Sequence, residues 1–463
     1  MITTPTRQVT QQTRTQTMLP LLALCLGYFM TILDVTIVNV ALVNIKEQLN
    51  ANVTGLQWIV DGYALVFASL LLTGGALGDR RGSRTIFLGG FALFTLASTL
   101  CSLAPTLLVL QIARAVQGLG AALLVPNSLA LLNTIYTDAR KRAQAIGVWA
   151  AVASMGALSG PLLGGVLVNA FGWRSIFLIN LPIGILGFLL TIRSIAPPAP
   201  QGGRSLDIPG QVAGMLALGL LTFALIESNS LGMLSPLILA AYAGSLLFFL
   251  LLLWREKTTS QPMLPLALFR EKTFSATNFV ALCQTFTFTG FIFVISLFLQ
   301  EVKHYSPSLT GVALLPSFGC ALLATSLSGG FMPRLGAKRL MVIGLILSAL
   351  ACFGFMMVDM HTSYLLLACI IAVLGFGLAS VLPAMTEAAI SHAPRTQSGV
   401  ASGMLNVSRQ VGGVIGVAIL GTLVGNQQTF VAGMHLAFGI AGGVLAFALV
   451  AAWVFVRTHS EPS

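Results

Sequence analysis

The sequence predicts an all-α integral membrane protein that crosses the bilayer fourteen times. Three observations predict it. The hydrophobic share is 56% and the charged share 8%, against about 25% charged residues in ordinary soluble domains. Mean hydropathy is +0.92. The apolar runs are each about 20 residues or longer and rich in Gly, Ala and Leu, which suits spanning helices rather than alternating barrel strands of about ten residues.

Taken in order, residues 1–17 form a Thr- and Gln-rich polar tail. The helix that follows continues without an A-x-A cleavage pattern, so the tail is expected to be retained rather than removed as a signal. Six apolar runs come next, at roughly 18–43, 55–77, 85–103, 106–134, 142–169 and 174–194. Charged loops at Lys46, Arg80–Arg84, Arg140–Arg142, Arg174 and Arg193 divide most of them. Two further runs, 208–227 and 233–253, stand between a Pro/Gly-rich linker, Ala196–Asp207, and a second break near 254–273, where Pro262 and Pro265 disfavour a continuous helix. The last six runs lie at roughly 274–299, 308–332, 339–358, 363–390, 398–424 and 430–456.

Charge placement fits this count. With the N-terminus inside, nineteen of the 24 Lys and Arg residues fall on the cytoplasmic side, and only Lys46, Arg174 and Lys303 on the other. That is a strong positive-inside pattern with both termini cytoplasmic. It accounts for the net charge of +11 through topology and inner-leaflet lipid, not through a nucleic-acid partner.

The chain also repeats itself. The loop GALGDRRGSR at 75–84 is echoed by GGFMPRLGAK at 329–338, so that Arg80, Gly82 and Arg84 align with Arg334, Gly336 and Lys338. Gly147, Gly156, Gly160 and Gly165 align likewise with Gly403, Gly412, Gly416 and Gly421. Both loops fall on the cytoplasmic side, so the repeats are parallel. The expected organisation is a tail (1–17), a six-helix half (18–195), a linker carrying two extra helices (196–257), a second six-helix half (258–456) and a short cytoplasmic tail (457–463).

Charges inside the spans carry the functional reading. Asp34 lies in LDVTIVNVAL (33–42), with Thr36 and Asn39 close by; these polar groups suggest that the helix faces protein or a water-filled cavity, and Thr36, Asn39, Asn406 and Arg409 are the expected lining of a substrate cavity. A carboxylate within a membrane helix marks a transport or proton-handling site by default. At 1.5 Å per residue, Asp34, Asp61 and Arg114 lie about 12, 9 and 13 Å below the outer ends of their spans. Three charges at similar depth in one six-helix unit suggest a buried proton-coupling network, with Asp61 nearer water. Burial favours a neutral acid and an adjacent arginine favours the carboxylate, so an Asp34 held between the two is placed to exchange a proton, in competition with a cationic cargo. Arg409, about 17 Å from the inner end of its span, either binds an anionic group or braces the second half through helix carbonyls; Asn406 lies one turn away. Phe279, Phe286 and Phe293 read as lipid-facing, with a drug pocket as the alternative.

Three motifs follow. The first, in 75–84, is G-x-L-x-D-R-x-G-x-R: glycines for a tight turn, with Asp79, Arg80 and Arg84 as a charged latch. The second is LQIARAVQGLGAA (110–122), which holds Arg114. The third, GALSGPLLGG (156–165), sets Gly156, Gly160, Pro161, Gly164 and Gly165 in one helix, where they allow bending and close packing. Together these segments resemble the major facilitator superfamily, in particular its fourteen-span drug:proton antiporters. The motif residues carrying the likeness are Gly75, Leu77, Asp79, Arg80, Gly82 and Arg84; Arg114, Gln117, Gly118 and Gly120; the glycines and Pro161 of the fifth span; and Asp34, Thr36 and Asn39. Ser83 replaces a usual basic residue, and Pro333 stands where a second-half counterpart of Asp79 would fall. The resemblance implies drug efflux by alternating access, Arg114 near the proton site and Asp79 bracing the halves. It also implies a bacterial inner-membrane location. Dication exporters of the family carry extra acids in spans ten and thirteen, which this chain lacks, so monovalent cations are the expected cargo.

Other chemistries are disfavoured. None of the six cysteines forms a C-x-x-C pair, no lysine completes a phosphate-binding loop, and the histidines form no metal pattern. The expectation is a monomeric transporter with no catalytic residues, metal or cofactor, energised by the proton gradient; its partners are a small-molecule substrate, protons and the lipid bilayer. The alternatives are a narrow exporter of one metabolite or antibiotic, for which Arg409 would suit an anion, and a non-transporting membrane sensor.

Overall fold

The computed structural model describes residues 14–196, 207–259, 266–392, 398–425 and 427–457. The tail residues 1–13 and 458–463, most of the linker (197–206), Pro262, Pro265 and Arg395 lie outside them. Within the described residues, fourteen helices are long and apolar enough to span a membrane: α1 Met18–Gln48, α2 Val53–Arg81, α3 Ser83–Ser102, α4 Leu107–Ile135, α5 Arg140–Phe171, α6 Ser175–Ser194, α7 Ile208–Leu231, α8 Pro236–Thr258, α9 Lys272–Val302, α10 Pro307–Ser328, α11 Arg334–Phe355, α12 Tyr364–Ser391, α13 Val400–Leu423 and α14 Phe430–Phe455. No strand occurs among the described residues.

Short polar residues at the loop edges start many of these helices by accepting an otherwise orphaned backbone N–H. Asn52 accepts from Gly55 at 2.8 Å, Asp138 from Lys141 at 2.9 Å and Glu271 from Phe274 at 2.6 Å. Ser235 and Ser363 cap α8 and α12 in the same way. We call the face holding the start of α1 and the end of α14 the terminal face, and the opposite one the far face.

The repeat read in the sequence has a backbone counterpart. Gly82, between α2 and α3, and Gly336, at a kink near the start of α11, adopt φ of +90° and +75°. Only glycine takes this region without strain. The packing glycines correspond as well. On α5, a Cβ at Gly156 would meet the Phe29 carbonyl of α1 at 3.1 Å, one at Gly164 would meet Ile37 at 2.8 Å, and one at Gly160 would run into Thr36 Oγ1. On α13, Gly412 and Gly416 abut the carbonyls of Leu282 and Phe286 of α9 in the same manner. Thus α5 lies on α1 as α13 lies on α9. The outer members of each series cross between halves: Gly165 meets Pro307 of α10, and Gly421 meets Gln57 of α2.

The extra helices α7 and α8 pack on each other, with α7 seated over the junction of α2 and α13. Gln211 of α7 bonds Ser69 and Thr73 of α2, Trp58 donates to Glu227 at 2.9 Å, and Asn229 reaches the Thr422 carbonyl at 3.4 Å. Asp207 and Arg255 pair at 3.0 Å, joining the start of α7 to the end of α8.

One expectation needs correction. Of the three span-nine phenylalanines, Phe279 is exposed, but Phe286 and Phe293 are buried. The reason is that α9 has neighbours on several sides, α1, α12, α13 and α14, and these close around it.

Candidate functional site

The site is built around the middle of α1. Asp34 is fully buried, and both of its carboxyl oxygens accept hydrogen bonds. Arg114 Nη1 of α4 donates to Oδ2 in an ion pair. Gln117 Nε2, one turn along α4, donates to Oδ1 at 2.8 Å, and Asn180 Nδ2 of α6 donates to the same oxygen at 3.1 Å. Ser98 of α3 closes the set, accepting from Asn180 at 3.0 Å and Gln117 at 3.2 Å while donating to the Phe177 carbonyl at 2.9 Å.

Arg114 is held as firmly. Its Nε donates to the Ile59 carbonyl at 3.0 Å and its Nη1 to Gln117 Oε1 at 2.7 Å. The guanidinium carbon lies 4.4 Å from the ring centre of Tyr63 and 5.9 Å from that of Phe177, a cation over aromatic faces. Four helices of the first half and α2 thereby converge on one ion pair.

The other sequence candidates are placed differently. Asp61 does not join the cluster. It is sealed from solvent rather than hydrated, and neither carboxyl oxygen has a hydrogen-bond partner among the described residues. It sits one turn along α2 from Gln57, whose amide donates to the Val417 and Ala418 carbonyls of α13 at 2.9 Å. Thr36 and Asn39, expected on a cavity wall, are buried. Thr36 is taken up by the α1–α5 contact at Gly160 and donates to the Leu33 carbonyl at 3.1 Å; Asn39 donates to the Val35 carbonyl at 2.9 Å. Pro161 is buried, its carbonyl facing Gly311 of α10. Arg409 is partly buried on α13 beside the exposed Asn406.

In the 75–84 loop, Gly75 lies against Pro126 of α4 at the Cβ position, and Arg84 donates to the Ile192 carbonyl of α6 at 3.1 Å. Asp79 and Arg80 are exposed, and Asp79 forms no ion pair among the described residues. The halves are joined firmly at the far face instead. Lys46 of α1 pairs with Glu301 of α9 at 2.6 Å. Gln300 donates to the Val40 carbonyl at 3.1 Å, and Ser308 of α10 to the Gly165 carbonyl at 3.0 Å.

Gln117 entered the sequence reading only as a motif position; Ser98, Asn180, Tyr63 and the Lys46–Glu301 pair were not expected at all. Asn180, an amide between the apolar stretches FLI and LPIG, was the one signal that could have been weighed.

Comparison with known proteins bears on this arrangement. The model of the Major Facilitator Superfamily matches residues 24–417 and 277–463. The methylenomycin A resistance protein of Bacillus subtilis (strain 168) is 40% identical over 441 residues, 95% of this chain and 94% of that protein. The multidrug resistance protein Stp of Mycobacterium tuberculosis is 37% identical over 414 residues, 89% of this chain and 76% of that one. Among solved structures, a bacterial homologue of the human lysosomal transporter Spinster superposes with a TM-score of 0.66 at 17% identity, covering 97% of this chain and 100% of that chain. That last likeness concerns the fold alone.

Proposed function

The chain belongs to the major facilitator superfamily, a transporter rather than an enzyme, and from that premise we propose that it is a proton-coupled exporter of antibiotic-like small molecules. The observation that carries the reading is the Asp34–Arg114 pair, sealed in mid-helix and shared by five helices. The relatives with antibiotic and multidrug resistance names supply the direction, export.

A proton arriving at Asp34 removes the charge that balances Arg114. Leaving a buried charge without its partner costs about 3–5 kcal/mol. Turning a two-state equilibrium from one side fully to the other takes about 5.5 kcal/mol. One protonation would therefore supply most of what such a conformational change needs, with α1, α4 and α6 meeting at Asp34. Because the Asp34 oxygens are all engaged, the proton acts by loosening this clamp and not by vacating a carboxylate for a cationic cargo. Asp61, at the α2–α13 junction, meets water only when that junction parts.

The placement of Lys and Arg supports a terminal face turned toward the cytoplasm, and the membrane would be a bacterial inner membrane. The far face, where Lys46–Glu301 and Gln57 join the halves, is then the outer one, a closure that fits loading from inside. The protein works as a monomer, and the proton gradient stands in place of any cofactor.

The test is a growth screen of cells overexpressing the chain, against lipophilic cations, dyes and anionic drugs. Raised tolerance to at least one class is expected, lost in Asp34→Asn at equal membrane level. Unchanged tolerance across the panel, or tolerance kept in Asp34→Asn, would overturn the reading.

A further inference from the structure

We infer that Arg409 is the counter-ion site for the cargo, and that the cargo is an organic anion, a carboxylate carried on an apolar body. This rests on the export reading for its route but not on proton coupling.

The geometry begins with depth. Arg409 lies about nine residues into α13, Tyr28 about ten into α1 and Trp149 about nine into α5, so all three sit about 14 Å from the terminal-face ends of their helices. Among the described residues the arginine pairs with no acid. The ion pairs among the described residues are Lys46–Glu301, Arg114–Asp34 and Arg255–Asp207. Its one polar contact is Nη1 to Asn406 Oδ1 at 3.5 Å, the far limit of a hydrogen bond. Its Nε is closed off from solvent with no partner among the described residues.

Arg114 shows what a satisfied arginine looks like in this protein: a carboxylate, an amide, a carbonyl and an aromatic face. Arg409 lacks the first of these. An unpaired cation this deep in a membrane is expensive to maintain, and a guanidinium offers a planar fork of donors that fits a carboxylate with two parallel bonds. The apolar part of such a ligand has a surface beside it. Tyr28 and Trp149 stack with ring centres 3.9 Å apart and planes 10° from parallel, and both are partly exposed. Trp149 is fixed by its donation to Ser128 at 3.2 Å. A cation would fare worse here. Arg409 repels it, Asp34 is already paired with Arg114, and Asp61 is buried.

Binding to the purified full-length protein in zwitterionic nanodiscs tests this. The probes are dansylglycine, its methyl ester, and dansylcadaverine, which share a fluorophore and differ in charge. The acid should bind about ten- to a hundredfold tighter than the ester or the amine, the range of one charge-assisted bidentate contact. Arg409→Ala should bring the acid down to the level of the ester without changing the ester, and Arg409→Lys should keep part of the preference. Equal affinity for acid and ester, no binding of the acid, tightest binding of the amine, or a preference that survives Arg409→Ala would each overturn the assignment. Nanodiscs with added phosphatidylglycerol separate the two sources of anion: displacement of the acid by this lipid would mean that Arg409 reads a headgroup. Failure of the coupling reading shows elsewhere, as export that persists in Asp34→Asn while the Arg409 preference stands.

Discussion

The clamp at Asp34 predicts a particular pattern of stabilities when its charges are removed singly and together. In Asp34→Asn, Arg114 keeps the Ile59 carbonyl at 3.0 Å and Gln117 Oε1 at 2.7 Å but loses its only counter-charge. In Arg114→Gln, Asp34 keeps Gln117 at 2.8 Å and Asn180 at 3.1 Å as an uncompensated buried anion. Each single change should cost about 3–5 kcal/mol, the penalty of orphaning one member of a buried pair. The double variant removes both charges and leaves two amides among amide partners. It should therefore cost less than the sum, with a coupling energy at the upper end of the 0.5–3 kcal/mol range seen for contacting residues (about 3 kcal/mol). The assay is melting of detergent-purified protein followed by a thiol-reactive dye, since four of the six cysteines are buried in the fold; all variants are heated at one rate because such unfolding is seldom reversible. The double variant should lose less than the two single losses added together, by about 3 kcal/mol. A double variant whose loss equals that sum would mean that the two charges do not act as a pair.

Three other predictions follow from packing and charge. Gly160→Leu drives a side chain into Thr36 and should part α1 from α5 at a cost of about 1–3 kcal/mol, typical of overpacking; transport should fall at equal membrane level. Lys46→Glu should break the far-face seal and raise labelling of a cysteine placed at Asn44, and the added change Glu301→Lys should restore protection. Finally, exchanging a monoanion for one proton moves two unit charges per cycle, so a potassium diffusion potential of 100 mV, negative on the cytoplasmic side, should add about 4.6 kcal/mol to the drive. Export of a monovalent cation for one proton would show no such dependence.

Much of the fold was legible because a bilayer leaves few choices: apolar runs of sufficient length and basic loops give spans and orientation. The parallel repeat was legible at Gly82 and Gly336 because a positive φ demands glycine in both copies. Asp34 and Arg114 stood out because charges are rare in such helices. Their companions did not, since Ser98, Gln117 and Asn180 are uncharged and polar residues of this kind are ordinary in membrane helices. Asp61 marks where depth reasoning stops. Rise along the axis put it level with Arg114, but the direction around the axis was not fixed, and it is the Ile59 carbonyl of the same helix that Arg114 meets. Thr36 was read as a lining group, whereas contact with Gly160 consumes it; which helix a face meets depends on tertiary packing. Arg409 was seen from the sequence with two readings open, and only the identity of its neighbours separates them.

The most direct test of proton coupling at Asp34 is proton release from proteoliposomes on addition of a transported substrate, measured across a pH series for wild type and Asp34→Asn. Wild-type protein should release protons when substrate is added and should accumulate substrate down an imposed pH gradient. Asp34→Asn, which keeps the shape of the side chain and cannot ionise, should do neither. Full coupling in that variant would contradict the account, and a signal lost only in Asp61→Asn would move the proton site to α2.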